Sequence, residues 1–321
     1  MNSELRPATW KVLLAFATIY FVWGSTFLAI RIGVLEVPPL LFAAIRFSIA
    51  GLVLYAWMRA RGTASPTGSE WIRVSLLGTL IFLVDYGCLF WAERRIASGI
   101  AAVVLATIPV FITLLDILVL RTHRLTIRLA AALAIGVLGV AVLMNNRISF
   151  GEAAIDRAGA AALLVASFTW SIATILTRKL RLPASKPMSA AAQMIVGGLA
   201  LFLAAGISGE FASFQIAAVS VHAWLALVYL ITAGSIAGFT AYIWLLHYES
   251  PTKVGTYAYV NPVVAVAFGY FFGGEMVGLR TILGTLLVLV SVLAITTIPK
   301  KAVVENATAE ARRDLQPAEG D

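Results

Sequence analysis

The chain has 321 residues, of which 60% are hydrophobic and only 12% charged, and its mean hydropathy is +0.92. A soluble domain is about 45–50% apolar and about 25% charged, so an ordinary globule, a fibre and a disordered chain are excluded and a polytopic membrane protein is left. The net charge of +8 falls in short gaps between apolar runs rather than on one basic face, which reads as membrane topology and not as a nucleic-acid partner. One cysteine, Cys88, rules out an internal disulfide, and no Cys/His cluster predicts a metal or a cofactor.

A spanning helix needs about 20 mostly apolar residues. Ten segments qualify: Val12–Ile30, Leu40–Met58, Ile72–Phe90, Ile100–Val119, Leu129–Leu143, Gly159–Thr177, Met188–Gly206, His222–Leu246, Gly255–Phe272 and Thr281–Ile298. The first is full length and lacks a small-residue cleavage site, so it reads as a retained helix rather than a signal peptide. If the amino terminus is cytoplasmic, 17 of the 24 Lys and Arg lie on the inside and 6 on the outside, with Arg46 inside a span. Both termini are therefore expected in the cytoplasm of a plasma (inner) membrane protein.

The halves repeat. At an offset of 147, Phe21, Trp23, Arg31 and Gly51-Leu52 fall on Phe168, Trp170, Arg178 and Gly198-Leu199. At an offset of 153, Trp71, Trp91 and Pro109-Val110 fall on Trp224, Trp244 and Pro262-Val263. Five spans per unit force the second unit to enter the membrane in the opposite sense, which predicts an inverted repeat around a central site. The expected organisation is a cytoplasmic N-terminus over 1–11, a first five-helix unit over 12–144 and a loop over 145–158. A second five-helix unit follows over 159–298, then a mobile cytoplasmic tail over 299–321.

Several motifs accompany this pattern: Trp23-Gly24-Ser25-Thr26-Phe27 in the first span, Arg46 in the second, Pro109 and Pro262 in mid-span, Gly273-Gly274-Glu275 closing the ninth, and Gly284 opening the last. With them the chain resembles the EamA-like family of the drug/metabolite transporter superfamily over about residues 10–298. His123 stands where a counterpart of Glu275 is expected. The resemblance implies an all-α carrier without cofactor, often an exporter of amino acids or related metabolites, with a small-molecule substrate and the lipid bilayer as its partners.

Charges within spans are costly, at least about 2.5–3.5 kcal/mol each, and three lie there: Arg46, Asp85 and Asp116. Arg46 and Asp85 sit at similar depth, about 4–6 Å toward the outside. The residues leave two readings. One is an ion pair locking two helices, and the other is a substrate site in which Arg46 supplies positive charge and Asp85 meets an ammonium or a coupling proton. Asp116 reads as a solvated ion pair with Arg121. Pro109 and Pro262 free the carbonyls of Leu105 and Ala258 and read as gating hinges or as static kinks. Trp23 and Trp170 lie near mid-depth and line or fill a cavity, whereas Trp10, Trp57, Trp71, Trp91, Trp224 and Trp244 lie at span ends as interface anchors. Asn261, Tyr259 and Gln193, the last in Arg46's place in the second unit, complete the candidate substrate-binding set. Gly234 and Gly238 read as a packing motif.

These residues predict a secondary carrier working by alternating access, since no G-x-x-x-x-G-K-[ST] motif offers ATP. The alternatives are a carrier of cationic drugs or phosphorylated sugars, a membrane-embedded enzyme, and a non-transporting scaffold. An enzyme would need clustered His, Asp or Glu, while His123, His222 and His247 lie at span ends. The topology is tested by single cysteines in a Cys88-free background. Positions 208 and 149 are expected to label from outside, and positions 65 and 185 to be protected; outside labelling at 65 would invert the orientation.

Overall fold

Why each apolar run becomes a helix follows from the solvent. Hydrocarbon offers no hydrogen-bond partner, so a crossing backbone must satisfy itself. In the computed structural model the described residues are 7–119, 125–145, 154–249 and 251–297, and among them there is no strand. Nine helices are long and apolar enough to span: α1 Thr9–Glu36, α2 Pro39–Ala60, α3 Gly68–Glu93, α4 Ser98–Leu118, α5 Ile127–Met144, α6 Arg157–Lys179, α7 Lys186–Ile207, α8 Val221–Tyr242 and α10 Leu279–Thr297. A shorter apolar helix, α9 Tyr257–Gly273, lies between the last two. This is the expected set of ten, in an all-α membrane protein. The tail over 299–321, His123 and position 149 lie outside the described residues.

The ends of α1 and α3 differ from the expectation. The expected spans ended at Ile30 and Phe90, but α1 continues to Glu36 and α3 to Glu93. Both side chains are taken into the fold: Arg31 Nη1 donates to the backbone carbonyl of Glu93 (2.6 Å) and also to that of Ile96, and the Glu93 side chain is buried. Three helices also contain π-helical stretches that no apolar pattern announces: Thr18–Val22 in α1, Thr79–Tyr86 in α3 and Leu230–Ala237 in α8. A π turn displaces the hydrogen-bond ladder and leaves backbone groups free for side chains, which is why such turns gather at functional positions.

The bundle end where α1 begins is here the near end, and the opposite one the far end. Carboxylates cap the helices that start at the far end. Glu210 accepts from Leu40 N (3.3 Å) and Leu41 N (2.8 Å) of α2, and Asp156 from Gly159 N (2.6 Å) of α6. Glu275 accepts from Ser98 N (2.7 Å) and Gly99 N (3.1 Å) of α4, and Glu36 from Ser220 N (2.6 Å) before α8. An anion there satisfies orphan N–H groups and opposes the helix dipole. At the near end hydroxyls of Thr67, Thr126 and Ser185 cap α3, α5 and α7.

Packing is closest between α2 and α7 and between α5 and α10. Glycines make both approaches possible. A Cβ on Gly51 would stand 2.9 Å from Ile195 N, and one on Gly198 would stand 2.8 Å from Ser48 N. Ser48 and Gly51 lie 147 residues before Ile195 and Gly198, so the two contacts are reciprocal at one offset. A Cβ on Gly139 would lie 2.9 Å from Val288, and one on Gly284 would run into Leu143; here the common offset is 145. Outward positions such as Ile72, Leu203, Leu225 and Phe271 are exposed and apolar, as a lipid-facing surface requires.

Gly198→Val is expected to destabilise the protein by about 1–3 kcal/mol, because backbone blocks the added methyls. Leu203→Val, on the exposed face, is expected to change stability by less than about 0.5 kcal/mol. Thermal unfolding in detergent separates the two; equal melting temperatures would mean that the α2–α7 contact is loose.

Candidate functional site

The α8 π stretch is the hub of the interior. Ser235 Oγ donates to Leu230 O five residues back (2.9 Å), and it accepts from Arg46 Nε of α2 (3.3 Å). One residue earlier, Gly234 O accepts the indole N–H of Trp23 from α1 (3.1 Å). The small residues there are required. A Cβ on Gly234 would press on Thr26 (3.0 Å) and Arg46 Nη2 (3.4 Å), and one on Gly238 would strike Trp23 Nε1. The packing role expected of Gly234 and Gly238 is thus to seat Trp23 and Arg46 against α8.

Arg46 is buried, 4% exposed, and it is enclosed by aromatic faces rather than by carboxylates. Its guanidinium carbon lies 4.7 Å from the ring centre of Phe47, 5.5 Å from Tyr86 and 5.8 Å from Phe90. Cation–π attraction is strongest where water is excluded. Nη1 has no hydrogen-bond partner, so the cation is cushioned but not neutralised. Trp170 closes the aromatic wall, with its ring edge-on to Tyr86 at 6.3 Å.

Among the described residues no ion pair joins Arg46 to Asp85. Asp85 is 2% exposed and its Oδ1 has no partner. Matching depth fixed only the height of the two groups along the bundle; neighbouring residues differ by about 100° around a helix. Tyr86, Phe90 and Glu93 share the face turned to Arg46, at spacings of four and three, and Asp85 does not. The carboxylate that does share Arg46's electrostatic surroundings is Glu93, along with Arg31 and Glu275. Glu93 is fully buried and neither of its oxygens has a partner. Sequence reasoning missed it because it falls just past the apolar run; the signal was its place on the Tyr86–Phe90 face.

The remaining candidates separate. Trp23 stacks with Tyr242 (5.4 Å) and Tyr257 (5.1 Å), a cluster nearer the bundle's near end. With its amide turned to donate, Asn261 reaches Ile19 O, Tyr20 O and Tyr257 O, each at 3.2 Å, so it ties α9 to the π stretch of α1. Gln193 donates to Ser189 Oγ on its own helix (3.0 Å). Tyr259 bonds Thr296 of α10 and so turns away from the group around Arg46. Asp116 is 7% exposed, hence buried rather than solvated as expected, and Arg121 lies outside the described residues.

The two prolines are not equivalent. In α4 the helix ends at Leu105 and restarts at Ile108, with Pro109 in its first turn. Val104 O then accepts from Thr107 N (3.0 Å) and Thr107 Oγ1 (2.6 Å), and Ile108 O accepts from Ser171 Oγ of α6 (3.2 Å). The α9 helix instead runs through Pro262 unbroken. At the far end a cavity of about 290 Å³ opens between Pro39, Trp91, Arg94, Arg95 and Glu210. Among the described residues no His, Cys, Asp and Glu group is arranged to hold a metal.

Chemically, Arg46 offers a free donor to an anionic group inside an aromatic enclosure. Asp85 and Glu93 offer acceptors to an ammonium or a proton. Comparison with known proteins bears on what such an interior is for. The profile of the EamA-like transporter family matches the chain twice, at residues 9–145 and 157–297. The uncharacterized inner membrane transporter YedA of Escherichia coli (strain K12) is 36% identical over 263 residues, 81% of this chain and 82% of its own length. Protein PecM of Dickeya dadantii is 27% identical, over 83% of this chain and 88% of its own. A solved crystal structure superposes with a TM-score of 0.59 at 21% identity, covering 96% of this chain and all of that one, a likeness of fold alone.

With no ion pair between them, removing both Arg46 and Asp85 is not expected to rescue either single loss. Arg46→Ala and Asp85→Asn should each lower transport by at least about tenfold, which corresponds to about 1.4 kcal/mol of lost interaction. The double mutant should be no better than the worse single one. Recovery of activity in it, read by substrate exchange in proteoliposomes, would restore the ion-pair reading.

Proposed function

The chain belongs to the EamA-like transporter family, and from that premise we propose that it is a secondary carrier exporting a small metabolite, an amino acid or a related amphipathic compound. The observation that carries this reading is Arg46. A buried cation with an open donor and aromatic walls is a poor structural element, because burying charge without full pairing is costly. It is a good receptor for a carboxylate attached to an apolar body. Asp85, also buried and unpartnered at Oδ1, is placed on the neighbouring helix to receive the ammonium or the coupling proton.

Transport proceeds in this reading by alternating access between two inverted five-helix units, residues 12–144 and 159–298. Two matches of one family profile and the reciprocal glycine contacts of α2 with α7 and α5 with α10 support a two-fold relation. The membrane is the inner one, as for the Escherichia coli relative. The near end is cytoplasmic, in keeping with the Lys/Arg bias. Pro109, at the interruption of α4, is the hinge.

Purified protein in proteoliposomes is expected to exchange an amino acid from a panel that also contains sugar phosphates and cationic drugs. Pro109→Ala, which lets α4 heal into one helix, should slow exchange more than it weakens binding, since gating is impaired while the polar groups stay. Pro262→Ala should have the smaller effect, because α9 is already continuous. Exchange of sugar phosphates alone would replace the amino-acid reading, and unchanged rates in Pro109→Ala would make the interruption a static feature.

A further inference from the structure

At the far end one arginine ties four chain segments together. Arg31 of α1 donates through Nη1 to the carbonyls of Glu93, at the end of α3, and of Ile96, just before α4. Its Nε lies 3.4 Å from Glu275 Oε1, after α9. Glu275 in turn holds the first N–H groups of α4, at Ser98 (2.7 Å) and Gly99 (3.1 Å). The side chain of Glu93 sits inside this tie, completely buried, with neither oxygen hydrogen-bonded.

We propose that Glu93 is a proton-binding site that controls the far-end gate, by competing with Glu275 for Arg31. The inference rests on the carrier reading and supplies its coupling ion. With the proton on, Glu93 is neutral and makes no claim on Arg31, which stays with Glu275, and the far ends of α1, α3, α4 and α9 stay joined. When the proton leaves to water at the far end, a carboxylate appears beside an arginine that already donates to Glu93's own carbonyl. Arg31 turns to it, Glu275 loses its cation, and the tie on α4 loosens. No other reactant is needed, since one proton leaves and one ion pair is exchanged for another.

The surroundings of Glu93 fit this role. From α1 it faces Arg31, from α2 Arg46, and from the segment after α9 Glu275. On α3 itself Asp85 lies two turns back, and Arg94 and Arg95 follow it. The α6 helix, which packs on α3, begins with Arg157 and with Asp156, whose Oδ1 is engaged by Gly159 N. Arg46 and Glu93 act on each other electrostatically, so the charge state of Glu93 is felt at the substrate site as well.

The test reads the gate without needing the substrate. Ala97, half-buried beside the tie, and Ala17, half-buried near the other end, are each changed to cysteine in a Cys88→Ser background. A membrane-impermeant maleimide is applied to Ala97→Cys in right-side-out vesicles and to Ala17→Cys in inside-out ones. Rates are normalised to Ser208→Cys, exposed at the far end, in right-side-out vesicles and to Ser65→Cys, exposed at the near end, in inside-out ones. From about pH 5.5 to about pH 8.5 the Ala97→Cys rate is expected to rise about tenfold, within the range of a typical coupling between two sites. The Ala17→Cys rate should fall in parallel. In Glu93→Gln the Ala97→Cys rate should stay low and flat. Should that variant fail to reach the membrane, Glu275→Gln decides instead, with a high and flat rate expected because Arg31 has nothing left to be contested. An unchanged pH profile in either variant, with the two mouths still reciprocal, overturns the role of Glu93 and leaves the carrier intact. Mouths that never vary reciprocally overturn the carrier reading, and this inference with it.

Discussion

Hydrocarbon cannot hydrogen-bond, and most of this structure answers to that fact. It forces ten helices, and it leaves helix starts in need of acceptors, which carboxylates provide for α2, α4 and α6 at the far end and hydroxyls for α3, α5 and α7 at the near end. It also makes any polar atom left over conspicuous. Most interior hydroxyls return to their own helix, as Ser171 Oγ does to Ser167 O (2.7 Å) and Thr177 Oγ1 to Ala173 O (2.8 Å). Some do not, among them Ser48 Oγ, Ser98 Oγ and Thr285 Oγ1, and three ionisable side chains join them: Arg46 Nη1, Asp85 Oδ1 and both oxygens of Glu93 have no partner, on α2 and on the half of α3 nearest the far end.

The π stretches supply partners to several of the interior polar side chains. Each adds a residue to a turn, so side chains beyond it rotate relative to those before it. In α8 the altered ladder presents Gly234 O to Trp23 and Ser235 Oγ to Arg46 within a single turn. In α1 the carbonyls of Ile19 and Tyr20 are available to Asn261. In α3 the stretch ends at Tyr86, where the face bearing Phe90 and Glu93 begins. These backbone irregularities are compatible with movement, because hydrogen bonds exchanged with side chains are easier to re-form in a second arrangement than an unbroken ladder.

Two ends of one bundle are thus built differently. The far end is held by ions, through Arg31, Glu275 and the caps of α2, α4, α6 and α8. The near end is held mainly by rings and neutral bonds, through Trp23, Tyr242 and Tyr257 and the Tyr20–Thr256 hydroxyl pair at 2.5 Å, with the Lys253–Glu249 ion pair (2.9 Å) at its surface. A carrier that opens alternately needs closures of comparable strength that respond to different signals. An ionic tie responds to protons, and an aromatic one responds to what packs against it.

Composition and hydropathy by themselves determined the membrane class, the ten helices within a few residues and the motifs of the family, because lipid imposes length and apolarity locally along the chain. Trp23, Arg46 and Asp85 were also legible, since rare or costly residues stand out in an apolar run whatever their neighbours. Partnership was not. Asp85 looked like Arg46's counter-ion because depth is readable from a sequence and angle around the bundle is not. A spacing of two already set Tyr259 and Asn261 on different faces of one helix, but not which helices those faces meet. Glu93 lay beyond the expected end of its apolar run at Phe90, and only folding shows that side chain to be buried. The same holds for the prolines, alike in sequence position but set in a broken helix and in a whole one. What the tertiary structure decided is which polar groups meet, because that depends on helix rotation, on π turns and on glycine-permitted approach, none of which leaves a period in the sequence.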